Sequence, residues 1–324
     1  MPQLSYLEAG RRALIAEMER DRTVWALGED LGRGGVFGQY RGLQDLFGPG
    51  RIADTPISEA CIMGAAVGAA MTGTRPVVEM RFSDFALCAV DELVNQAAKA
   101  RFMFGGQMRV PMVVREPIGM WRSSAAQHSQ SLEAWYAHIP GLVVLTPATP
   151  ADALGLMKSA IRCDDPVVLM EHKNLWALEG EVPEGEHLVP IGKADIARTG
   201  DAATIVTWSA MRHTCLAAAE TLAGEGLQVE VIDLRSLWPW DRDAVLASAA
   251  RTGRCLVVQE AVQVAGFGAE IAATVAEALH VPVRRLGAPR IPIAYAPPLE
   301  DRVRVGEDAI CRAVRAMCAP VPAD

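Results

Sequence analysis

The sequence is poor in the features that define several protein classes. Its seven cysteines are scattered, with no C-x-x-C pair and no histidine at metal-site spacing, so neither a disulfide framework nor a zinc site is indicated. No apolar run is long enough to span a membrane as a helix. Acidic residues outnumber basic ones by 39 to 31, and no basic run interrupts that excess, which argues against a general nucleic-acid binder.

Several short catalytic motifs are also missing. The chain contains no Walker A sequence, no H-E-x-x-H and no G-x-S-x-G, so P-loop, zinc-protease and serine-hydrolase chemistry have no support. Gly266 and Gly268 form a glycine pair that lacks the third glycine of the dinucleotide-binding fingerprint, and the strand before it ends at Gln259 and Glu260. A Rossmann cofactor site is therefore not indicated.

The N-terminal segment has the composition of a mature helix. Residues 5–21 carry Glu8, Glu17 and Glu19, and they lack both the apolar core of a signal peptide and the acid-poor bias of a transit peptide. Ser5 and Glu8 have the spacing of a capping box. Together with the scattered cysteines, this favours a location in the reducing cytoplasm.

The chain is long enough for two globular domains, with 324 residues of which 51% are hydrophobic and 22% charged. In its first half, short apolar runs predict strands that alternate with helical patterns, which implies a mostly parallel sheet covered by helices. The predicted strands are residues 24–27, 76–80, 110–114, 142–145 and 167–170. The predicted helices are residues 5–21, 59–72, 86–103, 131–138 and 150–162, the last with Thr149 as N-cap and Pro150 at its first position.

The same alternation returns after a segment rich in Glu, Pro and Gly. There the predicted strands are residues 203–208, 229–233, 255–259 and 281–286, and the predicted helices are residues 212–224, 242–250, 268–280 and 307–317. The fold class is therefore α/β, with two three-layer α/β/α domains at residues 1–176 and 200–324 and a linker at residues 177–199. Ligands of such sheets bind beyond the carboxyl ends of the strands, so the loops there hold the candidate site.

Residues 53–80 contain the candidate acid. Ser58 is the predicted N-cap of a helix that opens with Glu59, and the small residues of this helix permit the close approach of another helix or backbone. A carboxylate bordering such a contact surface needs a hydrogen-bond donor or takes up a proton, since burying an unpaired charge is costly. The alternative is that Glu59 only interacts favourably with the helix dipole.

Two loops offer further chemistry. Residues 81–85 follow a predicted strand and contain Arg81 and Phe85, whose ring either flanks a flat ligand or packs in the core. Residues 116–135 form an unusually polar loop in which His128 lies among serine and glutamine residues. A histidine in such surroundings exchanges protons near neutral pH, whereas His138, followed by Ile and Pro, favours a packed structural role.

Five segments taken together resemble one known family. They are DTPISEA at residues 54–60, EMRFSDF at 79–85, QHSQSLEAWYAHIPGL at 127–142, EVIDLRSLWPWD at 230–241 and APPLED at 296–301. In order and spacing they are similar to the beta subunit of the thiamine-diphosphate-dependent 2-oxo acid dehydrogenases, the decarboxylating component of the pyruvate, branched-chain and acetoin complexes. The resemblance covers nearly the whole chain and implies a transketolase-like pyrimidine-binding domain followed by a transketolase C-terminal-like domain.

The resemblance implies a role for each candidate residue. Glu59 matches the glutamate that hydrogen-bonds N1′ of the cofactor's aminopyrimidine and favours its imino tautomer, which takes the proton from thiazolium C2 and so creates the nucleophile for a 2-oxo acid. Phe85 matches a ring that stacks on the pyrimidine, and His128 matches a histidine at the active-site mouth that handles protons or assists acyl transfer. Arg81 lies in a segment that lines the substrate side in relatives, where it either meets a carboxylate or forms a structural ion pair.

Half of the cofactor site is missing from this chain. The family's motif for Mg2+ and diphosphate is G-D-G followed by paired asparagines, whereas this chain has only Asn95 and Asn174, and Gly200 and Asp201 come after both. The resemblance thus implies an alpha subunit that holds Mg2+ and the diphosphate in an α2β2 heterotetramer. It also implies a lipoyl acyltransferase partner, and neither a nucleic acid nor a membrane is expected as a partner.

The resemblance also bears on a structural potassium ion. Relatives hold it at a turn that matches Ala160 and Ile161, with an aspartate two residues later. Here Cys163 takes that later position, and Asp164 and Asp165 follow it. Backbone carbonyls at the turn can still serve as potassium ligands.

The sequence therefore predicts the beta chain of a 2-oxo acid dehydrogenase that acts on pyruvate, which is favoured, or on a branched-chain 2-oxo acid, and passes the acyl group to lipoamide. An acetoin dehydrogenase beta subunit is an alternative, because the run EGEVPEG at residues 179–185 is similar to acetoin relatives. A transketolase-like half-enzyme is a second catalytic hypothesis, and a non-catalytic assembly protein is a hypothesis from a different class. The joint presence of Glu59, Phe85 and His128 argues against an assembly protein.

Overall fold

The computed structural model describes residues 1–319, which form two compact units. The first unit comprises Met1–Trp121, Gln127–Ile191 and Leu237–Pro239, and the second comprises Arg122–Ala126, Gly192–Ser236 and the chain from Trp240 onward. Both units alternate strands with helices, so the predicted α/β fold class is confirmed.

The elements are numbered in chain order. The strands are β1 (Gln3–Ser5), β2 (Val24–Gly28), β3 (Ile52–Asp54), β4 (Arg75–Glu79), β5 (Val113–Ile118), β6 (Val143–Leu145), β7 (Val167–His172), β8 (Glu179–Glu181), β9 (Asp195–Arg198), β10 (Ala203–Thr207), β11 (Val229–Asp233), β12 (Ser236–Trp238), β13 (Cys255–Val262) and β14 (Val283–Ala288). The α-helices are α1 (Tyr6–Arg20), α2 (Leu43–Phe47), α3 (Glu59–Met71), α4 (Ser83–Ala86), α5 (Ala98–Met103), α6 (Glu133–Ala137), α7 (Pro150–Arg162), α8 (Met211–Ala223), α9 (Arg242–Thr252), α10 (Gly268–Ala278), α11 (Pro297–Val303) and α12 (Glu307–Cys318). Short 3-10 turns lie at Leu31–Arg33, Leu87–Ala89 and Lys173–Leu175, and a π-helix lies at Glu92–Ala97.

The main sheet of the first unit has the strand order β12-β6-β7-β5-β4-β2-β3. The strands from β6 to β3 are parallel, so their carboxyl ends meet at one edge. Gly28 of β2 lies opposite Asp54 of β3 and Glu79 of β4, and Glu79 in turn lies opposite Arg115 of β5. The loops that leave β2, β3 and β4 therefore begin side by side, while β5 continues to Ile118.

The sheet of the second unit has the order β14-β13-β10-β11-β9, in which only the edge strand β9 is antiparallel to its neighbour among the described strands. Helices α8 and α12 pack together against its inner strands. Their apolar faces contribute Cys215, Ile310 and Val314 to a buried core that also contains Ile205 and Leu256. This unit therefore has its own core, as expected for a separate domain.

Two predicted elements of the first unit differ from the structure. β5 begins at Val113, later than predicted, and continues through Arg115 and Glu116, which are buried although their charge is typical of a strand end. The predicted helix at residues 86–103 is interrupted, because a 3-10 turn and the π-helix Glu92–Ala97 precede α5. A π-helix has i to i+5 hydrogen bonds and leaves no distinct pattern in the sequence.

The segment between residues 177 and 199, which the sequence predicts as a linker, contains regular structure. β8 pairs antiparallel with β1, and β9 pairs antiparallel with β11. Both strands are short, and each is held by a partner strand from a different part of the sequence. No local hydrophobic period therefore marks them.

The helix starts confirm two of the predicted caps. The hydroxyl of Ser5 accepts a hydrogen bond from the amide of Glu8 at 3.2 Å. The carboxylate of Glu8 binds Arg11 instead of completing the predicted capping box. Thr149 caps α7 through its hydroxyl, and Pro150 occupies the first helical position as predicted.

Two further findings concern the whole described chain. No helix within residues 1–319 has both the length and the apolar character needed to cross a membrane. The seven cysteines are all free thiols, and Cys215, Cys255 and Cys311 are buried.

Gly141 lies against the backbone of α5, and this contact generates a prediction. Its φ is +102°, and an added Cβ would lie 1.9 Å from the carbonyl oxygen of Ala98. We expect Gly141→Ala to lower the free energy of unfolding by about 3 kcal/mol or more, because a clash adds to a strained backbone. Gly105 is the matched control, since its φ is +62° but an added Cβ would meet no atom within 4 Å.

Urea unfolding of the two variants is the measurement. Gly105→Ala should cost only about 1 kcal/mol, the usual penalty of a left-handed residue with a side chain. Equal losses of stability in both variants would contradict the clash.

Candidate active site

Three candidate segments leave the same edge of the first sheet. Glu29 directly follows β2, and Arg81 follows the end of β4 after one residue. Glu59 opens α3 and is separated from β3 by residues 55–58. Because β3, β2 and β4 are parallel neighbours, these segments begin at one side of the molecule.

Arg81 forms an ion pair with the loop after β2. Its Nη1 lies 3.1 Å from Oε2 of Glu29, and its Nη2 lies 3.6 Å from Oδ2 of Asp30. Glu29 is only 7% exposed, so this pair is better shielded from water than an ordinary surface pair. Arg81 thus forms a structural ion pair, which is one of its two predicted roles, and the pair ties two of the edge loops together.

Phe85 and His128 lie in one ring cluster together with Phe82. The ring centroids of His128 are 4.8 Å from Phe82 and 5.1 Å from Phe85, and the two phenylalanines are 5.5 Å apart. The rings meet edge to face, which is a favourable arrangement. Phe37 extends the cluster, with its centroid 5.7 Å from Phe82 and 4.0 Å from Trp176.

Lys173 holds the backbone of His128. This lysine is 2% exposed, and its Nζ donates a hydrogen bond to the carbonyl oxygen of His128. The same ammonium group lies 4.7 Å from the centre of the Phe82 ring, within range of a cation–π interaction. A buried cation thus supports both the backbone and one ring of the cluster.

Gln130 fixes the same segment from a second side. Its Nε2 donates to Oδ1 of Asp84 at 2.8 Å. Its carbonyl oxygen accepts hydrogen bonds from Ser83 Oγ at 3.3 Å and from the amide of Gly119 at 3.2 Å. His128 therefore has a defined place against Phe85 even though it lies in a loop.

Glu59 is half-buried at the start of α3. Within residues 1–319 its carboxylate has no hydrogen-bond or ion-pair partner. Ser58 is the N-cap residue of α3, as predicted, but its hydroxyl donates to the carbonyl of Pro56 at 3.2 Å and caps no amide of the helix. The first turn of α3 is therefore open, with a free carboxylate beside it.

The small residues of α3 divide between two faces. Ile62, Met63, Ala66, Val67 and Ala70 are buried, so that face packs inside the unit. The opposite face exposes Ala60, Cys61, Ala65 and Gly68, and Ile57 just before the helix is 74% exposed. One part of the predicted contact surface of α3 thus packs inside the first unit, and the other part is exposed to solvent.

A buried ion-pair network lies under the edge loops. The guanidinium of Arg115 lies between two carboxylates, with Nε 2.7 Å from Oε2 of Glu171 and Nη1 3.6 Å from Oε2 of Glu79. Gln39, from the loop after β2, donates to Oε1 of Glu79 at 3.2 Å, and the ring of Tyr40 lies over the guanidinium at 5.3 Å. The network therefore joins β4, β5, β7 and the long loop after β2.

Comparison with known proteins assigns the family. The model of the transketolase pyrimidine binding domain matches residues 2–178, and that of the transketolase C-terminal domain matches residues 192–310. The chain is 43% identical to the 2-oxoisovalerate dehydrogenase subunit beta of Bacillus subtilis, covering 97% of this chain and 98% of that protein. The chain belongs to the family of E1 beta subunits of 2-oxo acid dehydrogenase complexes.

Other relatives of this E1 beta chain carry different names. It is 45% identical to the beta subunit of acetoin:2,6-dichlorophenolindophenol oxidoreductase of Cupriavidus necator, covering 92% of this chain and 93% of that protein. It is 42% identical to the mitochondrial pyruvate dehydrogenase E1 component subunit beta-2 of Oryza sativa, covering 98% of this chain and 86% of that protein. The sequence identities to the pyruvate, branched-chain and acetoin types are thus too similar to assign the chain to one of them.

A solved structure supports the fold. It is a split-gene transketolase described as an inactive beta4 tetramer, with a TM-score of 0.80 and 22% identity, covering 97% of this chain and 98% of that chain. The likeness confirms the two-domain transketolase-like fold of the E1 beta chain.

The predicted potassium turn is well ordered by hydrogen bonds. Arg75 Nη1 donates to the carbonyl oxygens of Ile161 and Cys163, each at 2.9 Å, and its Nη2 lies 2.7 Å from Oδ1 of Asp164. The carbonyl of Ala160 accepts from the amide of Cys163 at 3.1 Å. Each of these carbonyl oxygens retains a second lone pair, although the guanidinium of Arg75 already supplies a positive charge at this turn.

The sequence did not indicate several members of the site. Glu29 and Lys173 are not singled out by any sequence pattern, although the position of Glu29 directly after a predicted strand is a usable signal. Lys173 is almost fully buried, which its residue type cannot indicate. Within residues 1–319, no three histidine, cysteine or acidic side chains are grouped so that they could hold a metal ion.

The network of Arg115 generates a prediction about pH. Burial raises the pKa of Glu79 to about 7 from its ordinary 4.5, and Glu171 adds to this while Arg115 opposes it. Glu79 releases its proton near pH 4.5 in the unfolded chain and near pH 7 in the folded chain. The contribution of protonated Glu79 to the free energy of unfolding is therefore complete below pH 4.5 and is lost as the pH rises to about 7.

Glu79→Gln should therefore flatten the dependence of stability on pH between about 5 and 7, by up to about 1.4 kcal/mol per pH unit. Urea unfolding at several pH values measures the slope. Glu19→Gln, an exposed change in α1, is the control and should keep the original slope. Equal slopes in the two variants would show that Glu79 keeps no proton in the folded chain.

Proposed function

We propose that this E1 beta chain supplies the aminopyrimidine-binding half of a thiamine diphosphate site and catalyses, with a partner subunit, the oxidative decarboxylation of a 2-oxo acid. Glu59, Phe85 and His128 are the residues that act on the cofactor and substrate. The observation that supports this most directly is the free carboxylate of Glu59 at the same sheet edge as the ring cluster of Phe85 and His128.

The residues present fit an aminopyrimidine ring. Glu59 has no partner in the described chain, so its carboxylate is available to accept a hydrogen bond from a ring nitrogen. Phe85 offers a ring at the same edge on which a flat heterocycle can stack. When bound, thiamine diphosphate supplies a carbon nucleophile and an electron sink for decarboxylation.

His128 is suited to proton handling in this site. Its ring is half-buried and surrounded by aromatic rings, while its backbone is fixed through Lys173 and the neighbouring Gln130. A fixed imidazole can hold or move a proton at the mouth of the site without a large rearrangement. Arg81, paired with Glu29 and Asp30, keeps the segment before Phe85 in place.

The diphosphate and Mg2+ are proposed to bind an alpha subunit in an α2β2 heterotetramer. This chain lacks the paired asparagines that follow G-D-G in the family's metal motif, because it has only Asn95 and Asn174. The exposed face of α3, with Ala60, Ala65 and Gly68 next to Glu59, offers a surface on which another chain can approach closely. We place the pyrimidine between the two subunits.

The substrate is proposed to be pyruvate or a branched-chain 2-oxo acid, with the acyl group passed to a lipoyl acyltransferase. Acetoin is the second candidate, because the acetoin oxidoreductase subunit of Cupriavidus necator is 45% identical to this chain. A cytoplasmic location is proposed from the scattered cysteines, which suit a reducing compartment.

The proposal predicts the effect of Glu59→Gln. Reconstituted with its alpha partner, thiamine diphosphate and Mg2+, the wild-type chain should release CO2 from a 2-oxo acid. Glu59→Gln should lower this rate on the order of a hundredfold or more, since an amide replaces the acid that acts on the ring, while thermal unfolding stays unchanged. Glu19→Gln, with an exposed side chain, is the control and should keep the full rate.

The same assay separates the candidate functions. A lipoyl domain added as acceptor should take up the acyl group, whereas a transketolase-like half-enzyme would transfer a two-carbon unit to a sugar phosphate. Full decarboxylation by Glu59→Gln would contradict the proposal. A wild-type complex that assembles but turns over no 2-oxo acid and no acetoin would leave a docking role instead.

A structural potassium ion at the turn of Ala160, Ile161 and Cys163 is also proposed. The prediction is a higher unfolding temperature in KCl than in choline chloride at equal ionic strength, because only a small cation can bind carbonyl oxygens. Differential scanning calorimetry measures this. The same unfolding temperature in both salts would mean that Arg75 alone completes the turn.

A further inference from the structure

Glu116 is a fully buried carboxyl group that has no role in the candidate active site. It lies on β5 and is 0% exposed. Neither of its carboxylate oxygens has a hydrogen-bond partner within residues 1–319. Because an unpaired carboxylate is costly to bury, a glutamate here requires a physical explanation.

Glu116 does not share the network of its neighbour Arg115. Adjacent residues of a strand point to opposite faces of the sheet. Arg115 pairs with Glu79 of β4 and Glu171 of β7, which are the carboxylates that these flanking strands supply. The positive charge beside Glu116 in the sequence is therefore committed to the other face.

Two groups act on Glu116, and neither carries a positive charge. They are the hydroxyl of Tyr136 on α6 and the carboxylate of Asp84 on α4, a helix that packs against β5. Tyr136 is 2% exposed, and its hydroxyl approaches Glu116 without reaching hydrogen-bond geometry. Glu116 thus faces one polar hydroxyl and one carboxylate from the elements packed on its side.

This environment keeps Glu116 uncharged at neutral pH. Burial raises the pKa of Glu116 to about 8, with Tyr136 opposing the rise and Asp84 adding to it. In the protonated state the group brings no second negative charge to Asp84. In the ionised state it would repel Asp84 through a medium of low polarity, where like charges interact strongly.

Asp84 connects this carboxyl group to the site. Its Oδ1 accepts the hydrogen bond of Gln130 at 2.8 Å, while its Oδ2 is buried without a partner among the described residues. Gln130 is two residues from His128, and Phe85 directly follows Asp84. A displacement of Asp84 would therefore act on both rings of the proposed site.

We propose that Glu116 is a positioning residue for His128. Kept uncharged, it leaves the carboxylate of Asp84 free of repulsion, and Asp84 then fixes the segment that carries His128. The catalytic meaning of this positioning rests on the proposed function, whereas the geometric effect does not. Ionisation of Glu116 should release the Gln130 bond and move His128 away from Phe82 and Phe85.

The first experiment observes His128 without any substrate. The full chain is labelled with 13C in its histidine rings, and the signal of His128 is identified by its loss in His128→Gln. Because the ring lies 4.8 Å from Phe82 and 5.1 Å from Phe85, its protons experience ring-current shifts that change when the rings separate. The wild-type signal should change between pH 7 and 9 with a midpoint near 8, as Glu116 ionises.

Glu116→Gln should abolish this change, since its amide stays neutral throughout the range. Glu184→Gln, at an exposed position of the first unit, is the control and should behave as the wild type. Tyr136→Phe removes the hydroxyl that stabilises the ionised form, so it should move the midpoint to higher pH. If Glu116→Gln does not fold, the shift of the midpoint in Tyr136→Phe tests the positioning role of Glu116 instead.

The second experiment measures decarboxylation in the complex reconstituted with the alpha partner. The wild-type rate should fall about tenfold between pH 7 and pH 9 as the ionised fraction of Glu116 grows, and Glu116→Gln should keep most of its rate. An unchanged midpoint in both Glu116→Gln and Tyr136→Phe would overturn the positioning role. A normal His128 signal change in a complex without 2-oxo acid or acetoin turnover would instead reject the proposed function and leave the positioning role standing.

Discussion

The buried guanidinium of Arg115 is the interaction on which the candidate site depends. It lies between Glu79 of β4 and Glu171 of β7, on a strand that is buried along its whole length. A guanidinium in such a place must be paired, and removal of one partner from a buried pair typically costs about 3–5 kcal/mol. The network therefore specifies the relative positions of three strands whose carboxyl ends begin the site loops. Gln39 and Tyr40 extend this constraint to the long loop after β2.

The edge of the sheet beside this network is chemically useful because a polar group there is left without a partner. This group is the carboxylate of Glu59, which has no partner in the described chain. By contrast, His128 is tightly positioned through Lys173 and Gln130. A rigid support beside a group that lacks a partner is the arrangement expected of a preorganised site that is completed by a ligand or by another chain.

Much of the fold follows from the sequence, because short β-rich runs and helical patterns alternate in both halves. The deviations have physical causes. β5 extends through Arg115, which is paired with carboxylates inside the protein, and Glu116, which is protonated there. Because charged residues usually lie outside buried strands, the sequence predicts a strand that ends before them. The π-helix Glu92–Ala97 has no sequence period of its own, and β8 exists only because it pairs with β1, far away in the chain.

The site was predicted unevenly for the same reason. Phe85, on α4, and His128, in the loop after β5, come from segments that the parallel sheet does bring together. The pairing of Arg81 with Glu29 joins residues from two separate loops, and the support of His128 by Lys173 depends on burial of a lysine, so neither is visible in local sequence. The open first turn of α3 arises because Ser58 bonds to Pro56, a local geometry that a propensity for capping does not reveal. Sequence patterns thus located the loops, while long-range pairing determined which side chains meet.

The most direct test is a structure of this chain assembled with its diphosphate-binding partner and thiamine diphosphate. We expect the carboxylate of Glu59 to lie at hydrogen-bond distance, about 2.6–3.0 Å, from a nitrogen of the pyrimidine ring, with Phe85 against the face of that ring. A pyrimidine bound elsewhere, or a Glu59 side chain covered only by protein, would contradict the proposed role of this carboxylate.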